Sequence, residues 1–472
     1  MTVGISNSLA GADAPPRAAG TPRAVFAVVA CSVFVANLDL FIVNVALPAM
    51  GGSFGGSTLG SLSWVLNAYA IVFAALLVAA GRFADRVGHK PVFLAGLAVF
   101  TLASVACAAS PGVPALVAAR VVQAAGAAML MPTSLALLLA TTPAERRAHA
   151  VRMWASIGGI AASLGPVAGG LLVEAGWRWV FLVNVPVGIA AVVAGVRVLP
   201  TGAGRERDRG ALPDLLGAAL LTAAVAVLAL GLVKSGDWGW TDDRTLISLA
   251  AAVLAAVGFL IRSARHPAPI VTLPLFRIRA FSAASAGLTL FSIAFAAALL
   301  GAILWVQDVW GWSAVRTGFA VAPGPLVVPP IALRIGPVVA RFGAGLVALA
   351  GSVAMAGGAL WWAAALDVRS GYAAAFLPGW ILIGVGVGLT VPVLTGAAAA
   401  TVPPAQFATG SALTAMGRQI GSVLGVAVLV SVLGTPHGPR VAEAFRHGWY
   451  AVAIAAVLSA IGVLPLVRRR RG

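Results

Sequence analysis

AVFAVVACSVFVANLDLFIVNVALP, residues 24–48, carries a single charge, Asp39. As a helix this run is longer than the roughly 30 Å hydrocarbon core of a bilayer requires, since about 20 residues suffice. It is apolar on every side, whereas a barrel strand alternates apolar and polar residues. The run is therefore read as a membrane-crossing helix.

Outward from it the same texture repeats. The chain has 472 residues, 60% of them hydrophobic and only 10% charged, with a mean hydropathy of +1.00; a soluble chain is about a quarter charged. Further spans are expected at 64–80, 92–109, 114–139, 153–173 and 179–199, then 212–233 and 245–261, then 281–306, 317–339, 346–366, 372–398, 408–433 and 448–467. The fold class is all-α integral membrane with fourteen transmembrane helices. Residues 1–22 read as a disordered cytoplasmic tail and 23–200 as a six-helix bundle. Residues 201–265 form a charged linker (RERDRG, 205–210) plus two inserted helices joined by the loop KSGDWGWTDDR. A second six-helix bundle is expected at 266–467 and a basic tail at 468–472.

The net charge of +17 would suggest nucleic acid in a soluble protein. Here about 21 of the 31 Lys and Arg fall in one set of alternating loops and about 7 in the other, the positive-inside pattern. That places both termini in the cytoplasm of a cell-membrane protein and makes the lipid bilayer, not nucleic acid, the partner. Cys31 and Cys107 both lie inside spans, so no disulfide framework or metal site is expected. Lys234, the sole Lys followed by Ser or Thr, is preceded by Val233, which excludes a phosphate-binding loop. With no nucleotide and no cofactor, an ion gradient must supply the energy. All five His lie in or beside loops, so a membrane-embedded enzyme is disfavoured. Trp64, Trp177, Trp179, Trp238, Trp240, Trp310, Trp312 and Trp449 sit near span ends, where an interfacial belt is expected.

GRFADRVG, Gly81–Gly88, follows the second span, and GPVVARFG, Gly336–Gly343, follows its counterpart 255 residues on. Gly, Arg and Gly share one register, as duplicated halves require, while Ala340 replaces Asp85. Gly81 and Gly88 are expected to let the backbone turn tightly, and Asp85 to bond backbone groups or a cation.

GRFADRVGHK resembles the loop signature of the major facilitator superfamily, with Gly81, Asp85, Arg86, Gly88 and Lys90 in matching places; the resemblance implies a gating loop. NLDLFIVNVALP (Asn37–Pro48) is similar to the first-helix signature of the superfamily's fourteen-helix drug:proton antiporter family. WVLNAYAIVFAALL from Trp64, GWRWVFLVNVPVG from Gly176 and GRQIGSVLGVAV from Gly417 resemble the same family. The implied fold is two six-helix bundles plus two inserted helices. The implied function is alternating-access export of small lipophilic compounds in exchange for protons.

Asp39 is the only acid deep inside a span, where a charge costs roughly 2.5–3.5 kcal/mol. It reads as the proton-coupling group, reached through a cavity that opens to alternate sides, or else as a structural hydrogen-bond acceptor. Arg120, in ARVVQAAGAAML, resembles the fourth-helix signature of proton-coupled members and is the natural partner. GGIAASLGPVAGG supplies Gly158, Gly165, Pro166, Gly169 and Gly170 for close packing and a hinge across the half interface. Candidates for the cavity lining are Asn44, Asn67, Tyr69, Gln123, Asn184, Gln307, Arg418 and Gln419. Arg334 is expected to snorkel to the interface. An importer built on the same residues is the rival within transport, and a passive channel the rival outside it.

Overall fold

The structure, a computed structural model, describes residues 22–200, 214–369, 371–403, 406–434 and 440–467. The tails and the RERDRG linker expected from sequence lie outside these residues. Fourteen helices are long and apolar enough to cross a membrane. They are α1 (Arg23–Ser53), α2 (Leu59–Val87), α3 (His89–Ala108), α4 (Val113–Ala140), α5 (His149–Glu174) and α6 (Trp179–Val198). Next come α7 (Leu215–Trp238), α8 (Asp243–Arg265), α9 (Arg279–Val309) and α10 (Ala314–Phe342). The last are α11 (Ala344–Ala365), α12 (Tyr372–Ala400), α13 (Thr409–Leu433) and α14 (Arg440–Val467). No strand occurs among the described residues. A helix satisfies its own backbone groups where no water is present to do so.

Packing repeats between halves. In the first half α1 lies on α5 and α6, α2 on α4, and α3 on α4 and α6; in the second, α9 lies on α13 and α14, α10 on α12, and α11 on α12 and α14. Two cross-pairs join the halves, α2 with α13 and α5 with α10. The inserted α7 fills the seam beside α2 and α13, and α8 packs mainly on α7. Leu246, Ile247, Val253, Leu254, Val257 and Leu260 of α8 face outward, as a lipid-facing helix requires. Helix α7 runs on through Trp238, so most of the anticipated KSGDWGWTDDR loop is helical and only a short turn remains.

The duplicated motif has a structural cause. Gly88 ends α2 at φ +111° and Gly343 ends α10 at φ +85°, and the next helix begins at the following residue in both places. Only glycine adopts this backbone without strain. Gly81, by contrast, sits inside helical α2 and does not turn the chain; a Cβ there would lie 3.4 Å from Pro132 of α4. Its role is close helix approach, which corrects the expectation above.

The end of the bundle carrying the α2–α3 turn is here called the inner end. On α1, Ala27, Cys31, Phe34, Asn37 and Phe41 form an accessible stripe at helical spacing, after which residues 42–47 are all buried. On α9, Ser282, Ala286, Thr289, Ile293 and Ala296 repeat it, and residues 297–306 are all buried. Cys31/Ala286, Phe34/Thr289 and Phe41/Ala296 are 255 residues apart, the offset of the loop motif. The two central helices are therefore sealed at the outer end and flank a cavity that opens inward.

The seal has named contacts. Gln307 donates to the Val45 carbonyl at 3.1 Å, and Ser163 to the Pro325 carbonyl at 3.1 Å. Pro166 and Gly170 of α5 press against Gly318 and Ala314 of α10. Gly158, Gly165 and Gly169 instead meet Asn37, Phe41 and Ile42 of α1. Most of the glycine stripe thus packs within the first half, and only Gly170 with Pro166 serves the half interface. Trp177 and Trp449 are buried rather than interfacial; Trp449 lies 4.7 Å from Trp362 in an aromatic core that also holds Trp380 and Phe376.

Asp214, unremarked in the sequence, joins the inserted pair. Its Oδ1 caps α7 by accepting from the Gly217 amide at 2.9 Å and takes Arg262 Nε of α8 at 3.0 Å. Burial alone would raise its pKa, but the Gly217 amide, Arg262 and His266 together hold it below the usual carboxylate value. A depressed carboxylate stabilises the fold above its unfolded pKa of about 3.9 and loses that contribution as pH falls through the lower folded value. Asp214→Ala is therefore expected to cost about 1 kcal/mol at pH 7, with faster hydrogen exchange at the first α7 amides. At a pH below the folded value, wild type and variant should exchange alike.

Candidate functional site

Asp39 sits midway along α1, on the side facing away from the accessible stripe, and is fully buried. Its carboxylate is held by groups from neighbouring helices of the first half. Arg120 Nη1 of α4 forms the ion pair with Oδ2. Gln123 Nε2 donates to Oδ1 at 3.0 Å, and Asn184 Nδ2 of α6 donates to the same oxygen at 3.1 Å.

Arg120 is itself constrained. Its Nε donates to the Val65 carbonyl of α2 at 3.1 Å and its Nη1 to Gln123 Oε1 at 2.7 Å. The guanidinium lies 4.1 Å over the Tyr69 ring and 5.8 Å from that of Phe181. Gln123 therefore accepts from the arginine with its oxygen and donates to the acid with its nitrogen, which fixes its amide orientation. The same nitrogen reaches Ser104 Oγ of α3 at 2.9 Å, and Ser104 spends its own proton on the Phe100 carbonyl at 2.8 Å. A buried pair tolerates burial when hydrogen bonds from its surroundings satisfy it; here both carboxylate oxygens of Asp39 and the Nε and Nη1 of Arg120 are bonded, while the Tyr69 hydroxyl and Asn184 Oδ1 have no partner among the described residues.

The arrangement amends the sequence reading in several places. Asp39 stands behind the cavity wall, not in the cavity. Gln123, Asn184 and Tyr69, taken as candidates for the lining, are spent on the ion pair. Asn44 bonds back to the Leu40 carbonyl at 2.8 Å. Asn67 is buried with no partner for either amide atom among the described residues. Gln307 bridges the halves. Of the eight candidates only Arg418 is exposed, and Gln419 beside it buries an amide nitrogen without a partner. Ser104 escaped notice because a serine in an apolar span is common and its importance lies wholly in its neighbours.

The loop residues lie at the inner end. Asp85 stands 3.6 Å from His89, and Arg86 is exposed. Lys90 Nζ donates to the carbonyls of Val196 at 2.9 Å and Leu199 at 2.7 Å, a cation on the last turn of α6 as the helix dipole favours.

Comparison with known proteins shows the family and the fold. The sequence pattern of the Major Facilitator Superfamily matches residues 29–426. The tetracenomycin C resistance and export protein of Streptomyces glaucescens is 36% identical over 437 residues, covering 91% of this chain and 78% of that one. The cephamycin export protein of Amycolatopsis lactamdurans is 34% identical over 467 residues, covering 98% and 96%. Among solved structures, the partially occluded inward-open xylose transporter of E. coli aligns with a TM-score of 0.65 at 12% identity, covering 96% of this chain and 99% of that one. At that identity the likeness is one of fold.

Proposed function

The chain belongs to the major facilitator superfamily, a family of transporters and not of enzymes, and on that premise we propose that it exports small lipophilic compounds across the cell membrane in exchange for protons. The observation that carries the reading is the Asp39–Arg120 pair, buried beside a cavity open at one end. Relatives named for antibiotic export and resistance support export over import. The excess of Lys and Arg in inner loops supports an inner end, and both termini, in the cytoplasm.

In this conformation Arg120 is paired with the Asp39 carboxyl, while the stripes on α1 and α9 are open to cytoplasmic cargo. Closing the inner end and opening the outer one shifts α1 against α4. Parted from Arg120, the carboxylate takes a proton from outside at Oδ2. Return to the inward-open state restores the pair and expels the proton to the cytoplasm. Each proton moved yields about 2.3 kcal/mol per 100 mV.

The test uses everted vesicles with an acid interior. Adding tetracenomycin C is expected to discharge the pH gradient as cargo enters, with accumulation abolished by a protonophore. A gradient that no lipophilic cargo discharges would refute the exchange; a passive channel would equilibrate cargo without concentrating it.

A further inference from the structure

Arg418 is a charge well inside a span, with no side-chain partner among the described residues. It lies nine residues into α13, about 14 Å from that helix's inner end. Its side chain is solvent-accessible although the position lies well inside a membrane-length helix. Gly417, Gly421 and Gly425 turn toward Thr289, Ser292 and Ile293 of α9. Ala412 and Ala415 pack on the first-half core. The face between these two directions carries Ser411, Arg418 and Ser422, all accessible, whereas Leu429 further out on that face is buried. Arg418 therefore points into the inward-opening gap between the halves.

Among the described residues its side chain has no hydrogen bond and no ion pair, in contrast to Arg120. Asp39 and Arg120 cancel each other behind the wall, so the charge presented to the cavity at this depth is positive. The stripes opposite offer Phe34, Phe41, Ile293 and Ala296, which suit an apolar body. A guanidinium offers a planar fork of donors that matches a carboxylate or sulfonate. When the cavity closes, a bare cation at mid-membrane loses its water, and an anionic cargo group restores its pairing.

We propose that Arg418 anchors the charge of the cargo and that the compounds carried are lipophilic acids. This rests on the export reading and narrows it to a substrate class. A cationic cargo meets an uncompensated like charge, and a neutral one leaves Arg418 unpaired.

The experiment is equilibrium dialysis of 2-naphthoate, its neutral amide 2-naphthamide, and 2-naphthylmethylammonium against the full chain in nanodiscs. The expected result is retention of the acid at least about tenfold above the amide, with the cation weakest. Arg418→Gln should abolish the preference for acid over amide, and Arg418→Lys should keep part of it. Equal retention of acid and amide, including retention of neither, overturns the proposal, as does a preference that Arg418→Gln leaves intact. The export reading fails separately. If Arg418 selects the acid but proton-driven vesicles concentrate none of the three probes, the anion site stands and export falls. If vesicles concentrate the amide with no preference for the acid, export stands and the anion site falls.

Discussion

Asp39→Asn is expected to reduce proton-driven cargo accumulation in proteoliposomes to that of empty vesicles, and to lower the stability of the purified protein by roughly 3 kcal/mol. The second effect arises because Arg120 is then a buried charge with no counter-charge, braced by Val65, Gln123 and the Tyr69 and Phe181 rings. Stability alone therefore cannot separate coupling from scaffolding, but a double substitution can. Asp39→Asn with Arg120→Gln removes both charges and keeps polar side chains of similar size, which should bring stability back to within about 1 kcal/mol of wild type. Transport should stay at background. Recovery of proton-driven accumulation in the double variant would mean that the pair is only a brace, and the exchange mechanism would fall with it.

A second large effect is expected at the outer seal. A Cβ on Gly170 would lie 2.5 Å from the Ala314 carbonyl oxygen and 2.9 Å from the Val315 Cα, backbone atoms that cannot rotate away. Gly170→Val thus forces α5 from α10 where the halves meet. The cost, about 1–3 kcal/mol for overpacking of this kind, falls on the inward-open state and is relieved when the outer end opens. The population should shift outward by roughly 5- to 150-fold. Cys31 reports it without further engineering, because it is exposed on the inner stripe of α1 while Cys107 is buried. A membrane-impermeant maleimide applied to everted vesicles should label wild type readily and Gly170→Val several-fold more slowly. Equal rates would show that the α5–α10 contact does not control the opening. Gly165→Val is the control: it crowds Phe41 within the first half, so it should lower stability without redistributing the two states.

The fourteen spans were legible because a bilayer demands about 20 apolar residues per crossing, and the charges Asp39 and Arg120 were legible because they interrupt such runs. The glycine pair Gly88 and Gly343 was visible as a repeat, though only its positive φ explains why glycine stands there. Gly81 shares the motif but serves helix contact. Asp214 was missed because a capping acid beside a span looks like any loop charge until Arg262 is seen to reach it.

Composition and the spacing of apolar runs determined by themselves the fourteen membrane-length helices and singled out the one acid deep inside them; the loop repeat marked two related halves, and Arg120 was picked from the span arginines by its resemblance to a family signature. Tertiary structure alone decided the direction of each side chain. Asp39 turned out to be walled off from the cavity, with Gln123, Asn184 and Tyr69 gathered on its ion pair, and Arg418 to be standing free in the gap. The reason lies in the solvent. In water a helix is apolar toward its core and polar outward, so periodicity betrays its orientation. In lipid both surroundings are apolar, so α1, α9 and α13 read alike on every face, and only the packing of neighbours distinguishes wall, seal and cavity.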